Sequence, residues 1–238
     1  MRIAMWSGPR NLSTAMMYAF GNRHDFAIMD EPFYAPYLAQ SGQIHPMQDD
    51  ILSYHEIDPK RVETACLDTI PDGKTHLYMK HMPHHMLPDF PLGWADQCVN
   101  IHLIRHPARV IASYAAKRET ATFDDIGYAQ QVAIYEKLGG IVIDSAEIRA
   151  NPRVALQTLC AAIALPFDPA MLSWKAGPRA DDGIWAAHWY GAVHQSTGFA
   201  REEDPLPTLT GANAVLLEKA LPFYEKMYTG RLLLRTLD

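Results

Sequence analysis

Cysteine is scarce in this chain, with three residues, Cys66, Cys98 and Cys160, among 238. Their odd number and wide spacing argue against a disulfide framework or a cysteine-ligated zinc site and fit reduced core thiols. Basic charge is short as well. Lys plus Arg total 21 against 27 Asp plus Glu, a net charge of −6, which argues against broad attraction to nucleic acid or anionic membrane but leaves room for a local basic pocket. A long apolar run is also missing. The stretch Ile184 to Ala200, without Asp, Glu, Lys or Arg, carries two His, Gln, Ser, Thr and two Gly and makes a poor membrane span. The opening MRIAMW has no basic start, long apolar segment and small-residue cleavage site of a secretory signal, so a cytoplasmic location is expected. Repeats, low-complexity tracts and linkers are absent, which leaves one domain over residues 1–238.

What is present is a core-forming composition, 48% apolar and 20% charged. Short runs rich in Ile, Val, Leu and Met predict strands at Arg2 to Ser7, Phe26 to Asp30, His76 to Lys80, Val99 to Ile104 and Ile141 to Ser145. Helical segments lie between them at residues 11–23, 59–70, 107–119 and 124–140, and two more follow at 151–164 and 213–228. That alternation predicts an α/β fold, a three-layer α/β/α sandwich with a central, mainly parallel sheet. Pro32 to Pro59 and Pro166 to Leu209 read as irregular. The second is dense in Pro, Gly and Trp, and is either a structured ligand-covering loop or a surface connection.

Two anion-binding signatures sit in strand-to-helix context. In WSGPRNLST, Trp6 to Thr14, Gly8 and Pro9 make a turn, Arg10 supplies a fixed charge, and Ser13 and Thr14 place hydroxyls in the first helical turn. Leu12 stands where GxxxxGK[ST] would carry its lysine, so ATP is not the first choice of ligand. In IRHPARVIASY, Ile104 to Tyr114, Arg105 is delivered to the carboxyl end of a strand. Pro107 starts a helix there, and Ser113 lies about two turns in. Either segment alone also reads as an ordinary cap or surface residue pair. Together they imply a ligand with two separated anionic groups.

These residues resemble the sulfotransferases that use 3′-phosphoadenosine 5′-phosphosulfate. Pro9, Arg10, Asn11, Leu12, Ser13 and Thr14 resemble the 5′-phosphosulfate loop, PKxGTT, with Arg10 in place of Lys and Leu12 in place of Gly. Arg105 and Ser113, with Pro107 between, resemble the 3′-phosphate motif at the same spacing. IVIDSAEIRANP resembles YEDLxxNP, and LPFYEKMY resembles the closing helix. PRADDGIW, offering Arg179 and Gly183, weakly resembles the RKGxxGxW donor loop, and Ala15 stands where cytosolic relatives carry a Trp against the adenine. YMKHMPHHML resembles the KTHLP segment. Alignment on its proline puts His81 at the position of the catalytic base and displaces Lys80 by one.

The resemblance implies a P-loop nucleoside-triphosphatase-like fold. It also implies transfer of a sulfuryl group from that donor to a hydroxyl or amine of a small-molecule acceptor, with no metal required. His81 would remove the acceptor's proton and Arg10 would stabilise charge on the leaving side. Glu31, in MDEPFY, resembles the Glu-Pro element of other branches and is the alternative base, although Asp30 and Glu31 can instead pair structurally with Arg10. The HxxHH group of His81, His84 and His85 reads as solvent-facing rather than as a ligand set. HWYGAVHQSTGF, His188 to Phe199, reads either as a pocket wall or as an aromatic patch under the last helix. A P-loop phosphotransferase or nucleotide kinase, and a non-catalytic nucleotide-binding protein, are the alternatives. A homo-oligomer is compatible with the sequence and carries no signal in it.

Overall fold

The structure, a computed structural model, describes residues 1–71, 73–116 and 120–235. Five strands, β1 (Arg2–Ser7), β2 (Phe26–Asp30), β3 (His76–His81), β4 (Val99–Ile104) and β5 (Ile141–Asp144), form one sheet in the order β2-β3-β1-β4-β5. Every adjacent pair is parallel. Parallel strands need crossovers that cover both faces, which is why they read as short continuous apolar runs rather than as alternations. All five expected strands form, with β3 one residue longer and Ser145 given over to a helix.

The helices are α1 (Ser13–Gly21), α2 (Tyr34–Ser41), α3 (Gln48–Tyr54), α4 (Pro59–Leu67), α5 (Pro107–Ala116), α6 (Phe123–Ile126), α7 (Tyr128–Leu138), α8 (Ser145–Ala150), α9 (Pro152–Ala162), α10 (Ala186–Trp189), α11 (Gly191–His194) and α12 (Ala212–Thr229). One sheet face, with Ile3, Met5, Tyr78, Ile101 and Leu103, packs on α1, α2 and α9. The other, with Ala4, Trp6, Leu77 and Met79, packs on α4, Trp94 and Ile134 of α7. A third cluster joins Ile104 and Val142 to α5, α7 and α12. The three-layer α/β/α reading therefore holds.

Several starts are capped as the sequence suggests. Asp58 accepts from Lys60 N ahead of Pro59, Asp144 accepts from Ala146 N, and Asn151 accepts from Val154 N ahead of Pro152. The helix expected over 124–140 is two helices, split at Gly127, whose φ of 68° leaves the right-handed helical region. Lys117, Arg118 and Glu119, at the end of the expected 107–119 helix, lie outside the described residues. Pro32 to Pro59 is not irregular, because it folds α2 and α3. Pro36 falls in the first turn of α2, where a missing N–H costs nothing. In Pro166 to Leu209, α10 and α11 are four residues each, too short to show a period. Among the described residues no helix is long and apolar enough to cross a membrane.

One glycine is required by close approach. Gly140 has φ 118°, and a Cβ there would lie 2.4 Å from the Asn100 carbonyl oxygen at the entry to β5. Gly140→Ala is expected to cost about 1–3 kcal/mol through backbone strain. The measurement is a urea titration, with a lower midpoint at unchanged slope.

Candidate active site

Strand order reverses between β1 and β4. β1 leads through α1 toward β2 and β3, whereas β4 leads through α5, α6 and α7 to β5 on the opposite side. Such a switch point opens a crevice at the carboxyl ends of the two strands. Gln131, buried in α7, spans it by donating to the carbonyls of Trp6 at 3.1 Å and Leu103 at 3.0 Å. Its sequence surroundings carry no motif that would have singled it out.

The loop after β1 is held to β4. Gly8 packs so closely that a Cβ would lie 2.9 Å from Ile126 O. Asn11 accepts from Leu12 N at 2.8 Å and donates to Leu103 O at 3.1 Å. Arg10 takes φ 54°, a strained value for a non-glycine residue, and places its guanidinium 5.1 Å from the Tyr114 ring and 5.6 Å from the Trp189 ring. α1 starts behind this loop with no side-chain cap at Leu12, so its first amides are left to a ligand or to water. Across the crevice, Arg105 donates from Nη1 to Arg10 O at 2.5 Å, and Tyr128 Oη donates to Arg105 O at 2.6 Å.

A cleft of about 430 Å³ lies over this edge of the sheet, a size suited to a small ligand. Pro9, Arg10, Asn11, Leu12, Ser13, Thr14, Glu31, Arg105 and Ser113 all line it, so most of the expected site residues meet in one place. Trp189, Tyr190, Val193, Ser196 and Gly198 line it too, which makes the His188 to Phe199 run the pocket wall. Arg179 and Gly183 are not among the lining residues. Arg179 sits 4.2 Å from the Tyr18 ring and donates to Tyr18 O at 3.2 Å, on α1, while Gly183 lies against Trp185 and donates from its amide to Asp30 Oδ2 at 3.1 Å.

His81 is also outside the cleft. Strand residues alternate faces, and Tyr78 and Lys80 point toward the α1 side. Met79 and His81 therefore point away, and His81, 1% exposed, stacks on Trp6 at a ring separation of 4.7 Å and packs tilted against Trp94 at 4.8 Å. Burial pushes its pKa down to about 3. Alignment on the proline picked the correct strand end but the wrong face.

Lys80 is the residue at the cleft. It is 1% exposed, and its Nζ donates to Glu31 Oε1 at 2.5 Å, Asp30 Oδ1 at 3.2 Å and Tyr190 Oη at 2.5 Å. Tyr190 Oη donates in turn to Asp30 Oδ2 at 2.7 Å and accepts from Trp185 Nε1 at 3.1 Å. Burial alone would depress the lysine, yet Asp30 and Glu31 hold it above its ordinary 10.5. Burial raises Glu31 above its ordinary 4.5, against the opposing pull of Lys80. Glu31 also takes φ 40°, which turns the chain sharply at the end of β2. Lys80 and Tyr190 are the residues that the sequence reading undervalued.

The remaining wall is uncharged imidazole and phenol. His85 stacks between Tyr34 at 4.5 Å and Tyr37 at 4.8 Å, with Nδ1 3.8 Å from Glu31 Oε2. Burial holds His84 at about 4 and His85 well below its ordinary range. Of the HxxHH histidines, His81 and His85 are buried and His84 is half-buried, so the group does not simply face solvent, and among the described residues no group of three or more His, Cys, Asp or Glu is arranged to hold a metal ion.

Lys80→Met would leave two buried carboxylates without their cation, and is expected to cost about 3–5 kcal/mol at neutral pH. A carboxyl whose pKa rises on folding favours the folded state most below its ordinary 4.5 and loses that contribution as pH rises. The melting-temperature deficit of Lys80→Met relative to wild type should therefore shrink as pH falls toward 4.5, which differential scanning calorimetry across that range would measure.

Comparison with known proteins supplies the family. The model of the family described as Sulfotransferase domain matches residues 1–231. Two Arabidopsis thaliana proteins, Branched-chain-amino-acid aminotransferase-like proteins 2 and 1, are 34% and 36% identical over 227 residues, 93% of this chain. The chain spans 40% of the length of those curated relatives. Among solved structures, the sulfotransferase domain from the curacin biosynthetic pathway superposes with a TM-score of 0.54 at 16% identity, covering 92% of this chain and 96% of that one. That likeness supports the fold. With the family model matching nearly the whole chain, this protein belongs to the sulfotransferase domain family.

Proposed function

We propose that the enzyme moves a sulfuryl group from 3′-phosphoadenosine 5′-phosphosulfate to a hydroxyl or amine of a small-molecule acceptor. The observation that carries this reading is the convergence of the Arg10 loop, Glu31 and the Arg105/Ser113 pair on one cleft. The residues fit such a donor. The uncapped start of α1, the Ser13 and Thr14 side chains and Arg10 offer donors to the phosphosulfate end, while Arg105 and Ser113 receive the distal phosphate. Tyr114 and Trp189, both at the cleft beside Arg10, offer the ring faces that Ala15 does not.

In sulfuryl transfer, as in phosphoryl transfer, positioning and electrostatics carry the catalysis. Arg10 balances charge that builds on the leaving side. Glu31 takes the acceptor's proton, because it lines the cleft and its carboxylate is made more basic than usual by burial. Lys80 and Tyr190 hold Oε1 of Glu31, which leaves Oε2 to face the acceptor and the His85 ring. Asp30 anchors the other side of Lys80, so Glu31 is aimed by a network with no slack. The names of the Arabidopsis relatives bring no aminotransferase activity to this chain, which aligns with less than half of either.

Incubation with labelled donor and a metabolite panel should give a sulfated product. Arg105→Ala should weaken donor binding about tenfold to a hundredfold, as loss of a charged hydrogen-bond partner does, and unchanged affinity by calorimetry would remove Arg105 from the donor site. For the base, kcat/KM should rise with pH through a limb above 4.5. Glu31→Gln should abolish that limb and lower kcat by about 10²- to 10⁴-fold. His81→Phe should keep the limb; if it vanished there and survived in Glu31→Gln, the base would be His81.

A further inference from the structure

Behind the Arg105 side of the cleft, three arginines from three elements surround one carboxylate of the chain itself. Glu203 Oε1 accepts from Arg105 Nε at 3.1 Å, from Arg105 Nη2, and from Arg149 Nη1 at 2.9 Å, while Arg109 Nε lies 2.9 Å from Glu203 Oε2. Arg105 directly follows β4, Arg109 is in the first turn of α5 and Arg149 is in α8. The carboxylate is 4% exposed. Neighbouring Arg201, Glu202, Asp204, Pro205 and Leu206 are exposed, so Glu203 is turned inward from a strap that otherwise faces solvent. Two backbone contacts complete the hold: Arg149 Nε donates to Arg201 O at 2.7 Å and Arg109 Nη2 donates to Asp204 O at 2.5 Å. The same arginines thus grip both the strap and its carboxylate.

We propose that Arg105, Arg109 and Arg149 form one phosphomonoester site, and that Glu203 is its resident stand-in, displaced when a phosphate enters. The Nε/Nη2 edge of Arg105, the edge that grips an oxyanion with two parallel bonds, is taken by Glu203, and Nη1 is committed to the loop carbonyl of Arg10. A phosphate that uses Arg105 in this way must evict the carboxylate. Charge favours the exchange. Three guanidiniums around a single carboxylate leave an excess of two positive charges, and a phosphomonoester near neutral pH brings about −1.5 to −2. The strap has no regular structure and few inward side chains, which makes its local release cheap. Assignment of the phosphate to the distal end of the sulfuryl donor rests on the proposed function. The exchange itself needs only a phosphate group.

The test pairs two probes, inorganic phosphate and adenosine 3′,5′-bisphosphate, and adenosine 5′-monophosphate as a reference ligand, with wild type, Glu203→Gln, Arg149→Ala and Glu202→Gln as a neighbouring control. Titration calorimetry should show Glu203→Gln binding the bisphosphate about tenfold tighter than wild type, Arg149→Ala binding it more weakly, and Glu202→Gln unchanged. Hydrogen exchange on the wild-type protein should show faster amide exchange across residues 201–206 when either probe binds. Weaker or unchanged affinity in Glu203→Gln, or slower strap exchange with both probes, would overturn the proposal. If phosphate releases the strap and Glu203→Gln strengthens that effect, while the bisphosphate binds no better than adenosine 5′-monophosphate, the three-arginine site stands and the donor assignment falls.

Discussion

Burial of one lysine between two carboxylates sets the geometry of the whole cleft. A cation at 1% exposure is tolerable only with its counter-charges in hydrogen-bond contact, and Asp30 and Glu31 provide them from the neighbouring strand end. That requirement fixes the β2–β3 register at the carboxyl edge, where Asp30 pairs with Lys80. It also draws in Tyr190, and through Tyr190 the Trp185 side chain and the pocket wall. The left-handed turn at Glu31 is the backbone's concession to this contact. A helix-rich segment some 110 positions away is therefore docked on the sheet by a polar contact as much as by apolar packing.

The parts of this protein that were legible in its sequence are those written in local code. Strand runs at Arg2, Phe26, His76, Val99 and Ile141 are short and apolar because both faces are covered, and Asp58-Pro59 and Asn151-Pro152 announce helix starts. That the Arg10 loop and the Arg105/Ser113 pair meet at one cleft was legible because both sit at strand-to-helix turns with recognisable residue types at fixed offsets. What failed was which way a side chain points. His81 and Lys80 are adjacent, and a period of two sends them to opposite faces, so an alignment shifted by one residue exchanges a base candidate for a packing residue. Arg179 lay in a motif-like segment whose docking on Tyr18 depends on tertiary contacts, and no local pattern reports those. Gln131 and Glu203 were invisible for the same reason, since each acts on groups more than 25 positions distant.

The cleft divides its labour by charge type. On the Arg105 side the charges are guanidinium groups, planar forks suited to oxyanions. On the Lys80 side, Glu31 is the carboxylate whose pKa folding has raised. The imidazoles between them, His84 and His85, are held neutral by burial and contribute shape and polarity instead of charge. In the proposed reading, the groups that hold the donor and the group that takes the proton are thus of different chemical type and on opposite sides of the cleft.

Arg105 touches the loop at Arg10 behind it in the chain and the carboxylate at Glu203 ahead of it, contacts that span 95 and 98 positions. The β1–β4 pairing spans the same distance, with Ile3 opposite Val99, so the cleft and the sheet's centre are closed by contacts of equal reach. Without the Glu203 carboxylate, the guanidiniums of Arg105, Arg109 and Arg149 would face one another uncompensated. An N-terminal fragment ending before residue 203 would carry the complete sheet yet hold an open, strongly positive mouth, prone to capture stray polyanions. Glu203 thus acts as an internal counter-ion, tying charge from β4's end, α5 and α8 to a single carboxylate.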